Sequence, residues 1–342
     1  MSEATPARVD GANAFMSSGD TGGRWAGEQL LKALKEGRKL SPKELRTLDT
    51  LPFNAWIEFD KVAVREGLVR SPLVTDLLAA GLRIPIPNAM GKTVFQWDRI
   101  TNMTPAIVSL DGLARSDNDR TEFDHLGVPL PITHKDFNIG LRSLEASRDS
   151  GEPLDTLQVG LSGGLVGEKI EEMTIIGGPT YGGQTVYGLN NHPKRNTGGF
   201  GTNGNWAQVA KTGLDMFNDI RTAVAVLRTK RFYGPYWVLL PGAYGDVVDV
   251  DYSTLYPGVT INDRIMKIKG LQKIIIADQQ PANTITVFQA TRDVVAIADG
   301  EGIQTIQWDI YGGMAVAMKV FAIQVPVVRA TAADRSGIYV IS

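Results

Sequence analysis

The sequence predicts an α+β fold, on three observations. Short helical patterns crowd residues 24–81, an extended hairpin-like stretch follows at 91–137, and one long helix precedes a run of strands with only one further strongly periodic helix. Strands and helices never alternate as regular βαβ units, which argues against a doubly wound sheet.

The elements follow in order. Residues 1–23 are rich in Gly, Ser, Asp and Ala and read as a flexible arm. Arg24–Glu36 places Leu30, Leu31 and Leu34 on one helical face, and Gly37 stops it. Ser41-Pro42-Lys43-Glu44 is a capping box with proline at the first helical position. Asn54–Glu66 turns Trp56, Phe59 and Ala63 inward, and Ser71-Pro72 opens another short helix that Gly81 ends. Thr93–Ile100 and Thr121–Phe137 have strand texture, with the polar tip SLDGLARSDNDR between them. Read as one long hairpin, they need a cover for their faces, since a lone two-stranded ribbon is marginal in water. Pro129 and Pro131 keep the second arm off a sheet centre.

Leu154–Ile176 reads as a long helix despite Gly160, Gly163, Gly164 and Gly167. Each glycine costs roughly 0.5–1 kcal/mol against alanine. Close approach of another backbone, or a kink, is the expected return. A glycine-rich loop at Gly198–Asn205 leads into a periodic helix over Trp206–Arg228. Strands are expected at Tyr236–Leu240, Lys273–Ala277, Thr284–Gln289, Val294–Ala298, Ile303–Trp308, Met314–Val328 and Gly337–Ile341, with a short helix at Pro241–Asp249.

Composition removes several chemistries. The chain of 342 residues is long enough for a real core, and its net charge of −2 excludes a wholly basic nucleic-acid binder. No cysteine is present, so disulfides, zinc–thiolate sites and thiol nucleophiles are excluded. Only His125, His134 and His192 are available for metal or general-base work. Met1–Phe15 has no apolar signal core, and no run approaches the ~20 apolar residues of a membrane span.

Three motifs imitate chemistry. Gly160-Leu161-Ser162-Gly163-Gly164 matches the nucleophile elbow, but helical periodicity runs through it and only His192 follows. A serine hydrolase using Ser162 is the remote alternative. Gly199–Gly204 matches the dinucleotide fingerprint without a buried strand before it. The carboxylates Asp117 and Asp119, and Asp246, Asp249 and Asp251, read as solvated surface rather than calcium ligands. No catalytic residue, cofactor or metal is therefore expected. A basic patch at Lys32, Lys35, Arg38, Lys39, Lys43 and Arg46 is either a solvated face or a surface turned to nucleic acid.

Taken together, AWIEFDKVAVREGL (Ala55–Leu68), VPLPITHKDF (Val128–Phe137), SRDSGEPLDT (Ser147–Thr156), YGLNNHP (Tyr187–Pro193) and GGMAVAMKVFAIQVP (Gly312–Pro326) resemble, in pattern and order, the Hong Kong 97-like shell proteins of tailed bacteriophages and encapsulins, closest to the encapsulin-like branch. The resemblance implies an α+β capsid fold divided as follows: N-terminal arm 1–50, peripheral helices 51–90, extended hairpin 91–127, peripheral domain with spine helix 128–197, axial domain 198–311, and return strands 312–342. It implies a major capsid protein that self-assembles through pentamers and hexamers into an icosahedral head around double-stranded DNA. The other reading within the family is an encapsulin shell around a cargo enzyme.

The partners so implied are further copies of the chain, DNA, and portal, scaffold or decoration proteins, with no membrane. The location implied is the virion, assembled in the bacterial cytoplasm. Phe95, Trp97, Asp117, Asp119 and Arg120 of the hairpin are then expected on a neighbouring subunit. Pro129, Pro131 and His134 are expected at the joint between hairpin and spine, and the basic patch near the genome. Part of the family crosslinks a lysine to an asparagine; Lys92, near the hairpin base, is the lysine in that region, without a supporting motif.

Overall fold

The computed structural model describes residues 53–100, 123–140, 156–253 and 258–342, with scattered positions between 104 and 115 and between 142 and 146. The arm, the helices expected before residue 50, the basic patch, and Asp117, Asp119 and Arg120 lie outside the described residues.

Helix α1 (Phe53–Val69) is followed by α2 (Pro72–Ala79), which starts on proline and stops at Gly81 with φ +75°. A short strand β1 (Arg83–Pro85) precedes the hairpin pair β2 (Val94–Ile100) and β3 (Phe123–Pro129), and then β4 (Thr133–Gly140). Helix α3 (Thr156–Ile175) leads to the two-residue strands β5 (Thr180–Tyr181) and β6 (Gln184–Thr185), then β7 (Asn196–Gly198). The remaining elements are α4 (Gly213–Thr229), β8 (Tyr236–Pro241), α5 (Gly245–Val248), α6 (Ile261–Met266), β9 (Leu271–Ala277), β10 (Ile285–Gln289), β11 (Val295–Ile310), β12 (Ala315–Val328) and β13 (Ile338–Ile341).

The chain forms two compact units. One gathers Met1–Arg65, His134–Gly163 and Ile303–Phe321; the other gathers Glu66–Thr133, Gly164–Gly302 and Ala322–Ser342. A four-stranded sheet has the order β1-β11-β12-β4.

In the first unit α1 buries Phe59 and Ala63, and Asp60 Oδ1 accepts a hydrogen bond from the Thr305 amide at 3.2 Å. The Gly163 position faces the Ala63 backbone so closely that an added Cβ would stand 2.7 Å from Ala63 Cα and 2.8 Å from its carbonyl carbon. In the second unit Gly167 repeats this one turn later, 2.9 Å from the Gly67 carbonyl carbon. Gly163 and Gly167 are thus the points of α3 at which the α1 backbone comes close.

The second unit is built on the mixed sheet β7-β13-β10-β8-β9. Strand β10 lies antiparallel to both β8 and β13, while β8–β9 and β13–β7 are parallel. One face packs on α4 and α6 through Met216, Ile220, Ala223, Val224 and Leu227 against Tyr236, Val238, Leu240, Ile285 and Val287. A second cluster joins Ile86, Val128, Leu130, Met173, Val186, Ile323 and Val325.

Four expectations change. The second arm of the hairpin divides, with β3 pairing to β2 while β4 enters the four-stranded sheet. The helix expected from Trp206 begins at Gly213, where Thr212 and Asp215 form a reciprocal capping box. The two strands expected at 294–298 and 303–308 are one, because Gly300 and Gly302 continue the ladder rather than break it. The short helix at Pro241–Asp249 is a 3-10 turn, Gly242–Tyr244, followed by α5.

Candidate functional site

The hairpin stem is held on the second unit from both of its strands. Register runs from Val94 opposite Pro129 to Ile100 opposite Phe123. Phe95 and Trp97 fall on one face by strand alternation and stack at 5.9 Å. Both are half-buried against the cluster of Ile86, Val128 and Val325, and the Arg329 guanidinium lies 5.6 Å over the Trp97 ring. Arg99 pairs with Asp124 at 2.6 Å and reaches Asp334 at 3.7 Å, while Lys194 also holds Asp334 at 2.6 Å. The Lys194 hydrogen bond is the main cause that lowers the Asp334 pKa. On the opposite face of the stem, Asp98 and His125 sit 2.6 Å apart. Exposed pairs of this kind are weak, so Trp97 packing anchors the stem more than charge does.

The residues expected to lie on a neighbour divide accordingly. Phe95 and Trp97 already have a place on the chain's own core. The apolar groups left in water sit further out: Val108 is 97% exposed, Leu113 81%, Phe123 61% and Ile107 54%, with Leu110 fully exposed. Sequence reading passed over them because the tip looked polar.

At the joint, Pro129 is buried and Pro131 half-buried, and the Leu130 amide donates to the Thr93 carbonyl at 2.8 Å. Proline at 131 removes a ladder donor where the chain leaves one sheet for the next. His134 is exposed and its Nδ1 sits 3.1 Å from Asp136 Oδ1; Lys319 approaches Asp136 at 3.5 Å and overlies Trp308 at 5.9 Å. Lys92, at the hairpin base, is exposed.

The segment Tyr187–Arg195 is a hydrogen-bonded knot. Asn190 Nδ2 donates to Gln280 Oε1 at 3.0 Å, Thr286 Oγ1 donates to Asn190 Oδ1 at 2.6 Å, and Gln280 Nε2 donates to both Thr286 Oγ1 and the Thr284 carbonyl. His192 is buried, edge-on to Tyr187 at 5.6 Å, and its Nδ1 accepts from the Lys194 amide at 3.2 Å. Burial, then the Arg195 and Lys194 charges, lowers its pKa to about 4, so the ring is neutral at physiological pH.

The catalytic imitations dissolve in three dimensions. Ser162 is buried in the middle of α3, with helix before and after it and no strand-to-helix turn. In the Gly199–Gly204 loop, the Gly201 amide is spent on Asp219 Oδ1 at 3.0 Å and the Thr202 carbonyl on Lys211 Nζ at 2.9 Å. Asp251 Oδ1 accepts from the Gly258 amide at 3.3 Å, and among the described residues no group of three or more His, Asp or Glu could hold a metal.

Two buried carboxylates escaped sequence reading. Asp219 Oδ2 pairs with fully buried Lys211 Nζ at 2.7 Å and accepts from the Trp206 indole at 2.9 Å, pinning the loop before α4. Glu171, on the buried face of α3, accepts from the Leu73 and Val74 amides at 3.0 and 3.1 Å. It thereby caps α2, because the Ser71 hydroxyl donates instead to the Gly67 carbonyl. Desolvation raises its pKa to about 7 against the two amide bonds, with a small further push from Asp76. The only signal for either was a charged residue at a core-facing helical position.

The chain matches the profile of a family of unknown function, DUF6260, over residues 45–309. No curated protein matches it. Among solved structures, it resembles a virus-like particle from Pyrococcus furiosus at 13% identity and TM-score 0.57, covering 84% of this chain and 99% of that one. It resembles the capsid of Myoviridae phage XM1 at 12% identity and TM-score 0.59, covering 77% and 90%. It also resembles the capsid of the native GTA particle at 12% identity and TM-score 0.54, covering 89% and 93%. The fold is therefore the α+β, Hong Kong 97-like capsid fold. Among the described residues no helix is long and apolar enough to cross a membrane.

Proposed function

We propose that this chain, which belongs to the DUF6260 family, is a shell subunit: a major capsid protein that closes with its own copies, through pentamers and hexamers, into an icosahedral head around double-stranded DNA. One observation carries the reading. The likeness extends over most of this chain and nearly all of each of those three structures. Its work in this reading is assembly, without catalysis, cofactor or metal.

The geometry supports a division of labour. The stem is fastened to its own body by Trp97, Arg329 and Asp334, while the tip carries Ile107, Val108, Leu110 and Leu113 in water. A stem packed on its own body and ending in apolar groups is suited to docking on a neighbouring copy, where burying each such side chain contributes roughly 1.5–3 kcal/mol. Repeated around a closed symmetric shell, modest contacts become collectively strong. Asp117, Asp119 and Arg120 belong to the same docking arm in this proposal. Pro129, Pro131 and His134 set its exit angle.

Residues 51–90, 128–197 and 312–342 form the peripheral domain and 198–311 the axial one. Lys32, Lys35, Arg38, Lys39, Lys43 and Arg46 face the genome. Portal, scaffold or decoration proteins complete a virion assembled in the host cytoplasm.

The match to a virus-like particle favours a second reading, an encapsulin-type shell around a cargo enzyme. Sedimentation of purified protein tests the shared core of both: capsomers or shells support it, and a strict monomer across salt and concentration refutes it. Packaged contents then separate DNA from protein cargo.

A further inference from the structure

In the second unit, α4 and α6 lie with their starts together and their ends together. At the starts, a Cβ on Gly213 would stand 2.7 Å from the Tyr252 carbonyl oxygen and 3.3 Å from Ile261 Cγ1. At the ends, the Arg228 guanidinium donates to the Lys269 carbonyl. Charge is divided between these ends. Asp215 and Asp263 belong to the capping boxes at the starts. Arg228, Arg231, Lys267 and Lys269 gather at the other end, and all four are exposed. Elsewhere in this unit Lys194, Lys211 and Lys273 each hold a carboxylate at 2.6–2.7 Å. The four end cations have no carboxylate partner among the described residues.

Helix dipoles favour cations at helix ends, which accounts for Arg228 and Lys267. Two features are left over. The first is the turn that closes α4. The Arg231 amide donates to the Arg228 carbonyl at 2.9 Å and the Phe232 amide to the Leu227 carbonyl at 3.0 Å, the paired bonds of a Schellman turn. Its left-handed position favours glycine, yet it holds Arg231 at φ +70°. The chain keeps a guanidinium there against the preference of the backbone. The second feature is Tyr233, two residues on, which is 72% exposed. Tyr236 is buried, with the Arg228 guanidinium 6.0 Å over its ring, so Tyr233 is the tyrosine that this patch leaves in water.

Unpaired cations beside an exposed aromatic ring suit a flexible polyanion that carries flat bases. We propose that this end of the unit binds a single nucleic-acid strand, with phosphates on the four cations and an unpaired base stacked on Tyr233. A duplex offers the phosphates but no free base face. The surface lies within one unit of one chain, so the proposal does not rest on the shell reading.

The test is fluorescence anisotropy of a labelled oligothymidylate of about 20 nucleotides with the full chain, from about 50 to 200 mM salt. Each phosphate contact on a single strand contributes about 0.7 to the slope of log K against log salt. Arg231→Gly should therefore make the slope shallower by about 0.7, and Lys267→Gln with Lys269→Gln by about 1.4. Arg231→Gly is also the folding control: glycine suits the turn, so its Tm should not fall. Tyr233→Ala should weaken strand binding at least about fivefold with the slope unchanged, while the matched duplex binds more weakly and ignores that change. No binding at the lowest salt, a slope unchanged in both charge variants, or a Tyr233→Ala protein that binds the strand like the parent would overturn the proposal. Sedimentation of the same samples reports assembly, so a failure of this surface and a failure of the shell reading are seen separately.

Discussion

Replacing Gly163 by alanine sets two opposing terms against each other. Removing a glycine from a helix interior gains about 0.5–1 kcal/mol. The new methyl would stand 2.7 and 2.8 Å from the Ala63 Cα and carbonyl carbon. These are backbone atoms of a packed helix and cannot swing aside, so overpacking costs about 1–3 kcal/mol. A net loss of about 1–2 kcal/mol is expected, or a Tm lowered by about 1.5–3 °C for a chain of this size. Gly167→Ala should behave alike, since it meets the Gly67 backbone. Gly164→Ala is the internal control: its methyl meets the Arg70 Cδ and Nε at 2.8 Å, the far end of a flexible side chain whose pair with Glu168 is partly exposed. That variant should stay within about 0.5 kcal/mol of the parent, because an exposed ion pair is worth little. Thermal and urea unfolding, followed by circular dichroism, read all three. A Gly163→Ala protein as stable as the parent, or more so, would refute the close-packing argument.

Lys211→Met should cost about 3–5 kcal/mol by leaving the buried Asp219 carboxylate without its cation, and Lys211→Met with Asp219→Asn should cost less than the sum of the singles; Trp206 fluorescence during unfolding measures both. Glu171 has a folded pKa raised to about 7 from 4.5, so the folded state holds the proton more tightly. Its contribution is fully present below about pH 4.5 and is lost as pH rises to about 7, a decline of about 3 kcal/mol at most. Stability of the parent relative to Glu171→Gln should therefore fall across that window, and a flat difference would contradict the assignment. Leu110→Glu, or deletion of Asp111–Arg120, should abolish assembly while leaving the Tm of unassembled protein unchanged; normal particles from either would remove the tip from the contact.

Much of the architecture was legible because it rests on local pattern. Phe59 and Ala63 mark the buried face of α1, proline and Gly81 bracket α2, and the glycines of α3 announced a backbone neighbour. What was missed depends on distant partners. Trp206 extends the periodicity of α4, yet the Asp219 and Lys211 side chains hold it in a loop, and the Thr212–Asp215 box sets the true start. Gly300 reads as a strand break, but its missing Cβ makes room for Ala89, so β11 continues through it. β4 and β3 look like one arm, and only the pairing of β4 with β12, far along the chain, separates them. At the candidate docking arm, Trp97 was visible as an aromatic in a strand, whereas its engagement with Arg329 was not. The tip leucines were masked by the polar residues around them.

The central claim is that copies of this chain close into a shell. Negative-stain microscopy of the expressed protein, before and after nuclease treatment, tests it most directly. The account predicts uniform closed particles with protected nucleic acid inside. A field of dispersed monomers, at high concentration and in low and high salt, would contradict it.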